Sequence, residues 1–193
     1  MKIYYLMGKS ASGKDTLYRR LLEEAPVPLT RIILYTTRPM RSGEENGREY
    51  FFVSEEEAEE LKRRGKVIEE RIYPSVLGPW HYMTVDDGQI REDGTYLAIG
   101  TLESYAGLKA YFGAEKLVPL YLEVEDGLRL SRALERERSM KNPQYGEMCR
   151  RFLADQEDFT EEKLEAAGIT KRFDNTDAEK CLAMIREEIR KES

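Results

Sequence analysis

Residues Gly8-Lys9-Ser10-Ala11-Ser12-Gly13-Lys14-Asp15-Thr16 have the types and spacing that bind a chain of phosphates. The run is close to G-x-x-x-x-G-K-[ST]. Two glycines let the backbone curl so that successive N–H groups meet one anion, and the lysine reaches the outer phosphates. Where the motif carries Ser or Thr to hold magnesium, this chain has Asp15, with Thr16 one step further on. Such a loop needs a strand before it and a helix after it. The apolar run 2–7 has β character and 17–22 has helical spacing, so the loop is expected to end at a helix N-terminus, whose positive dipole end favours an anion. Gly8, Ser10, Ala11, Ser12, Gly13, Lys14, Asp15 and Thr16 are therefore the candidate phosphate-loop residues. Asp15 and Thr16 are the candidate magnesium ligands, since a carboxylate near phosphates is favourable only with a cation between them.

Composition narrows the chemistry. A chain of 193 residues with net charge −6 makes one domain with small inserts, not a general nucleic-acid binder. Cys149 and Cys181 do not make a disulfide framework, which points to a reducing, cytoplasmic setting. The opening apolar run is shorter than a signal peptide's, and no run approaches the ~18 apolar residues of a membrane span. One histidine, His81, excludes metal sites built on several histidines, and no G-x-S-x-G elbow is present. Phosphoryl transfer suits such a chain, because it relies on positioning and charge neutralisation more than on a base.

The elements that must position these residues follow from the hydrophobic pattern. Strands are expected at 2–7, 30–35, 95–100, 117–124 and near 171–173, and helices at 14–24, 102–112, 127–138, 146–166 and 177–191. Alternating β and α elements that begin with a phosphate loop predict an α/β fold with a parallel central sheet and helices on both faces. Two stretches break the rhythm. Residues 36–85 hold short strands around one charged helix begun by Ser54. A charge-dense connection at 136–150 lies within a candidate lid at about 132–151. The expected organisation is a core of residues 1–35 and 86–193 that contains the lid, with 36–85 as an acceptor-binding insert. One insert to hold an acceptor and one to close over the donor is what a nucleoside monophosphate kinase requires, since closure excludes water.

The insert opens with Thr36-Thr37-Arg38-Pro39-Met40-Arg41-Ser42-Gly43-Glu44 and continues Gly47-Arg48-Glu49-Tyr50-Phe51-Phe52-Val53-Ser54. Arg38 and Arg41 flank a stiffening proline, and arginine forks pair bidentately with phosphate oxygens. TTRPMRSGEENGREYFFVS resembles the signature of guanylate kinases, T-T-R-x-x-R-x-G-E-x-x-G-x-x-Y-x-F-V-S, at the right distance from the phosphate loop. The resemblance implies a P-loop nucleoside monophosphate kinase acting on GMP and ATP with Mg2+, as a monomer or homodimer, with no nucleic-acid or membrane partner. It further implies that Arg38, Arg41 and Tyr50 bind the GMP phosphate and that Glu69 accepts from the guanine N1–H and amino group. Tyr82 and Thr84 resemble a later Y-G-T element, with Met83 in place of its glycine. The likeness of the lid assigns Arg132, Arg136 and one of Arg150 and Arg151 to the ATP phosphates, and Asn175 resembles an adenine-side asparagine. Lys14, Arg38 and the lid arginines are then the catalytic set.

The chain departs from that pattern at three places. Asp15 replaces the loop Ser or Thr. The third strand ends Ile99-Gly100-Thr101 where the family has an aspartate, and Leu34-Tyr35 stand where a serine helps to recognise guanine. Two other readings stay open. One is a P-loop kinase for another phosphorylated acceptor, a deoxynucleotide or ribose phosphate. The other is a non-catalytic module that binds a phosphorylated partner.

Overall fold

The computed structural model describes residues 1–75 and 78–192. The chain runs β1 (Lys2–Gly8), α1 (Lys14–Glu24), β2 (Thr30–Arg31), β3 (Tyr35–Thr36), β4 (Phe51–Phe52), α2 (Glu55–Arg63), β5 (Val67–Ser75), β6 (Gly78–Val85) and β7 (Thr95–Gly100). It continues α3 (Leu102–Phe112), β8 (Leu117–Glu123), α4 (Asp126–Arg138), α5 (Tyr145–Asp158), α6 (Glu161–Ala166), β9 (Arg172–Asp174) and α7 (Ala178–Glu192).

Five strands form a parallel sheet in the order β2-β7-β1-β8-β9. β1 is apolar almost throughout because it is covered on both sides, as central parallel strands are. Ile3, Tyr5 and Met7 join one core cluster with Tyr105, Leu108 and Phe159. Tyr4 and Leu6 join the opposite one with Leu17, Leu21, Ile185 and Ile189. The expected α/β fold, a parallel sheet with helices on both faces, is what the chain adopts. β1 sits where connections leave toward β2 and β7 on one side and β8 on the other. The crevice at its C-terminal end is the position at which such sheets bind ligands.

The run 30–35 was expected as one strand, and the structure divides it between two sheets. β2 pairs with β7, whereas β3 pairs with β6 in a second sheet ordered β4-β3-β6-β5. Its hydrogen-bond partners, not its own composition, decide where each half goes. The expected helix 146–166 is likewise two helices. The chain turns at Phe159, buried against Tyr121, and Thr160 caps the second helix by accepting from the Lys163 N–H at 3.3 Å. α2 begins at a full capping box, Ser54 Oγ accepting from Glu57 N–H at 3.2 Å and Glu57 accepting from Ser54 N–H at 2.8 Å.

The second sheet has two unlike faces. Val67, Met83 and Val85 pack with Ala58 of α2 in a small core. Pairing of Thr36 with Tyr82, Tyr82 with Arg71, and Thr84 with Glu69 sets a polar row on the other face. A β-bulge between Val67 and Glu69 makes that row possible. Val67 pairs with Val85 on the α2 side, and strict alternation would send Glu69 to that side as well. The extra residue Ile68 reverses the alternation, so Glu69 joins Thr84, while Glu70 turns back toward Lys62 of α2 and His81.

Candidate functional site

The donor half lies at the end of β1. α1 starts directly after Gly13 with no side-chain cap, so its first N–H groups remain available to an anion. Ser12 Oγ and Asn175 Oδ1 are buried without a hydrogen-bond partner among the described residues, as expected where a polar ligand completes a site. Asn175 turns its amide into the loop and donates to the Ser12 carbonyl at 2.6 Å. It thus braces the phosphate loop. Lys14 Nζ reaches the Lys9 carbonyl at 3.2 Å, and burial holds its pKa below the ordinary value, outweighing Asp15 and Asp155 nearby. Asp15 and Thr16 are exposed in the first turn of α1, and the Asp15 carboxylate forms no ion pair or hydrogen bond among the described residues.

Ala11 has φ 61°, in the left-handed region, where side chains are disfavoured. Ala11→Gly should therefore stabilise the chain by about 0.5–1 kcal/mol, because relief of the ~1–2 kcal/mol strain exceeds the extra unfolded-state entropy. A urea melt reads the shift, and a lower midpoint for the variant contradicts the strain.

The lid arginines have different fates. Arg132 donates to the backbone carbonyls of Asn175 and Thr176 at 3.1 and 3.2 Å, tying α4 to the loop after β9. Arg136 is exposed and close enough to Lys14 to depress its pKa electrostatically. Arg150 and Arg151 both bind Glu147 of their own helix, at 2.7 and 2.8 Å, and hold its carboxyl near 2. The sequence reading missed a deeper cation, Arg129, which is 1% exposed. It donates to the Ser10 carbonyl at 3.1 Å and to Asp155 at 3.3 Å, while Asp155 accepts the Ser10 N–H at 2.7 Å. Lys9 adds a bond to Gln156 at 2.6 Å. One face of α4 and α5 thus grips the rim of the loop. The i+3 and i+7 spacing of Arg129 to Arg132 and Arg136 was the available signal.

The acceptor half is the polar face of the second sheet. Arg38 is 4% exposed, with its guanidinium 5.1 and 5.3 Å from the Tyr50 and Phe52 ring centres. It forms a two-pronged pair with Glu44, at 2.8 and 2.5 Å, and Glu44 also takes the Arg41 N–H at 2.7 Å. The Glu44 carboxyl is pulled to about 2, first by Arg38 and then by that N–H. The Arg41 side chain is exposed. Tyr82 stacks edge-on to both Tyr50 and Tyr73. Glu69 receives the Thr84 hydroxyl at 2.6 Å and Arg71 Nε at 3.1 Å. Arg38, Tyr50, Tyr82, Thr84 and Glu69 are thus gathered on one face, and Arg71 is an addition whose i+2 spacing from Glu69 on one strand was the available signal. Burial pushes the Tyr18 phenol of α1 up to about 12, and Tyr50 adds to the rise.

Between the halves, the strand end without its aspartate is filled. A Cβ at Gly100 would collide with the Tyr5 hydroxyl and sit 2.7 Å from Ser104 Oγ, and these two hydroxyls are hydrogen-bonded to each other. Thr101 is spent capping α3. Glu103 is exposed. Neutral hydroxyls stand where a carboxylate was expected.

Comparison with known proteins places this geometry. Residues 1–78 match the protein-family model described as "Guanylate kinase". A guanylate kinase of Nostoc sp. is 46% identical over 68 residues, 35% of this chain and 34% of that protein. One of Oleidesulfovibrio alaskensis is 49% identical over 63 residues, 33% of this chain and 30% of the relative. The chain therefore spans about a third of the length of the curated relatives it matches. A crystal structure of guanylate kinase from Anaplasma phagocytophilum superimposes with TM-score 0.58 at 22% identity, covering 99% of this chain and 85% of that one. That likeness carries the fold. The chain resembles the guanylate kinase family in sequence over its first 78 residues and in fold throughout.

Proposed function

We propose that this chain is an ATP-dependent guanylate kinase, transferring the γ-phosphoryl of ATP to GMP to give ADP and GDP. The observation that carries the reading is the polar face of the second sheet, which gathers the buried Arg38 fork, held by Glu44, and the Glu69 carboxylate, held by Thr84 and Arg71. Residues 1–35 and 86–193 then act as the donor core, 36–85 as the GMP insert, and about 132–151 as the lid. Arg38, with Arg41 and Tyr50, aligns the GMP phosphate, whose attacking oxygen is already anionic near neutral pH and needs no base. Loop N–H groups, Lys14 and Arg136 offset charge on the transferring group. Arg150 and Arg151 exchange Glu147 for phosphate oxygens when the lid closes. Asn175 and Arg132 keep the loop and lid in register.

Mg2+ fits the donor set, because it takes one or two carboxylates and keeps several waters. The Asp15 carboxylate, unpaired among the described residues, with Thr16 beside it, would hold it. When bound, it neutralises phosphate charge.

A coupled assay of ADP release across GMP, dGMP, AMP, UMP, CMP and ribose phosphates tests the reading. GMP is expected to be fastest. Glu69→Gln should cost about 10- to 100-fold of the GMP preference, the worth of a charge-assisted hydrogen bond. Asp15→Ala should shift the magnesium requirement to higher concentration. A faster acceptor of another class favours the other kinase. No turnover with any acceptor favours the binding module.

A further inference from the structure

We propose that Arg71 is a base-specificity residue, donating to the O6 and N7 edge of guanine while Glu69 accepts from N1–H and the 2-amino group. The inference rests on the acceptor being a guanine nucleotide, as proposed above. Arg71 and Glu69 are neighbours on the polar face of the second sheet, with side chains 10% and 6% exposed. A Cβ on Gly107 would lie 2.7 Å from the Glu69 Cβ, so α3 packs closely against the aliphatic stem of Glu69.

The hydrogen-bond count makes Arg71 more than a counter-ion. A carboxylate has about four acceptor sites. Three are taken: Glu69 Oε1 by Thr84 at 2.6 Å and Arg71 Nη2 at 3.4 Å, and Oε2 by Arg71 Nε at 3.1 Å. A guanine edge brings two donors, N1–H and the amino group, so one existing bond must give way. The 3.4 Å contact is the longest and weakest. Its loss releases an Nη2–H beside the base. O6 is the acceptor on the ring atom next to N1, so a donor next to the carboxylate meets an acceptor next to the donor. Arginine to O6 and N7 is also the commonest specific contact that proteins make to guanine. No other charged donor on this face adjoins Glu69 among the described residues. Leu34 offers no hydroxyl, Tyr35 is directed to Asp87 at 2.9 Å, and the Thr84 hydroxyl is committed to Glu69. Arg71 thus supplies the donor that the absent serine does not.

Kinetics with base analogues test this. 6-Thio-GMP keeps N1–H and the amino group but has a poor acceptor at position 6, and 7-deaza-GMP lacks N7. The wild-type chain is expected to favour GMP over 6-thio-GMP by about 10- to 100-fold in kcat/KM, with a smaller preference over 7-deaza-GMP. In Arg71→Met both ratios should fall to within about twofold, whereas Arg71→Lys, still charged but unforked, should keep part of the 6-thio ratio. A purely structural role for Arg71 would lower all three substrates together and leave the ratios unchanged, which overturns the proposal. So does a wild-type chain indifferent to the two analogues, a result that needs no variant to fold. Failure of wild type to use GMP at all instead overturns the guanylate kinase reading, and the role of Arg71 with it.

Discussion

Replacing Lys14 by Met is expected to lower kcat by about 10²–10³-fold while leaving the fold at least as stable as the wild type. The two effects share one cause. Lys14 Nζ lies in the loop with a single carbonyl partner at 3.2 Å, and burial holds its pKa below 10.5. Without phosphate its charge is poorly solvated, a cost carried for the moment when a triphosphate arrives. The sign of the pH dependence follows. The unfolded chain holds this proton more tightly than the folded one, so folding stability rises as pH climbs from the folded pKa toward 10.5. In Lys14→Met that rise should vanish. Urea melts at several alkaline pH values, with the ADP-release assay alongside, read both effects. A variant that keeps turnover within about tenfold removes Lys14 from the transfer step.

Arg38→Met is expected to lower kcat/KM by about 30- to 1000-fold, mainly through KM for the acceptor, and to destabilise the chain. Arg38 is 4% exposed, packed on Tyr50 and Phe52, and matched prong for prong to Glu44. On the proposed reading, Glu44 is a stand-in for phosphate: it keeps the fork oriented until a dianion competes for the same donors. In the variant, the Glu44 carboxyl should climb from about 2 back toward 4.5. The sign is that of a depressed carboxylate. In the wild type its contribution is complete above pH 4.5 and fades as pH falls toward 2, and the variant should lose that acid-side dependence. Equal KM values for GMP in variant and wild type would show that the phosphate sits elsewhere. The measurement is distinct from that for Lys14, which acts on kcat.

Much of the donor site was legible because it is local. A strand, two glycines, a lysine and a helix occur within 24 residues, and backbone N–H groups do the binding whatever packs around them. The motif from Thr36 to Ser54 was legible for the same reason, its arginines and tyrosine lying within one short stretch of chain. Elements that depend on partners were less legible. A β-type run at 30–35 has no means of announcing that its halves join different sheets. Nor does the sequence of α4 say which of four arginines turns inward to hold Ser10 and Asp155.

By itself the sequence determined a glycine-rich loop of phosphate-binding type with Asp15 in an unusual place, an arginine-bearing turn after the second strand, and an alternating α/β layout. These are consequences of spacing along the chain. Only the tertiary structure decided that Glu69, not Glu70, joins the polar face of the second sheet, because one bulged residue reverses the side on which every later side chain of β5 emerges. It likewise decided that Tyr5 fills the space beside Gly100, and that Thr84 of the neighbouring strand donates to Glu69. Contacts across strands are set by register and close approach, and neither is written in the order of residues along one strand.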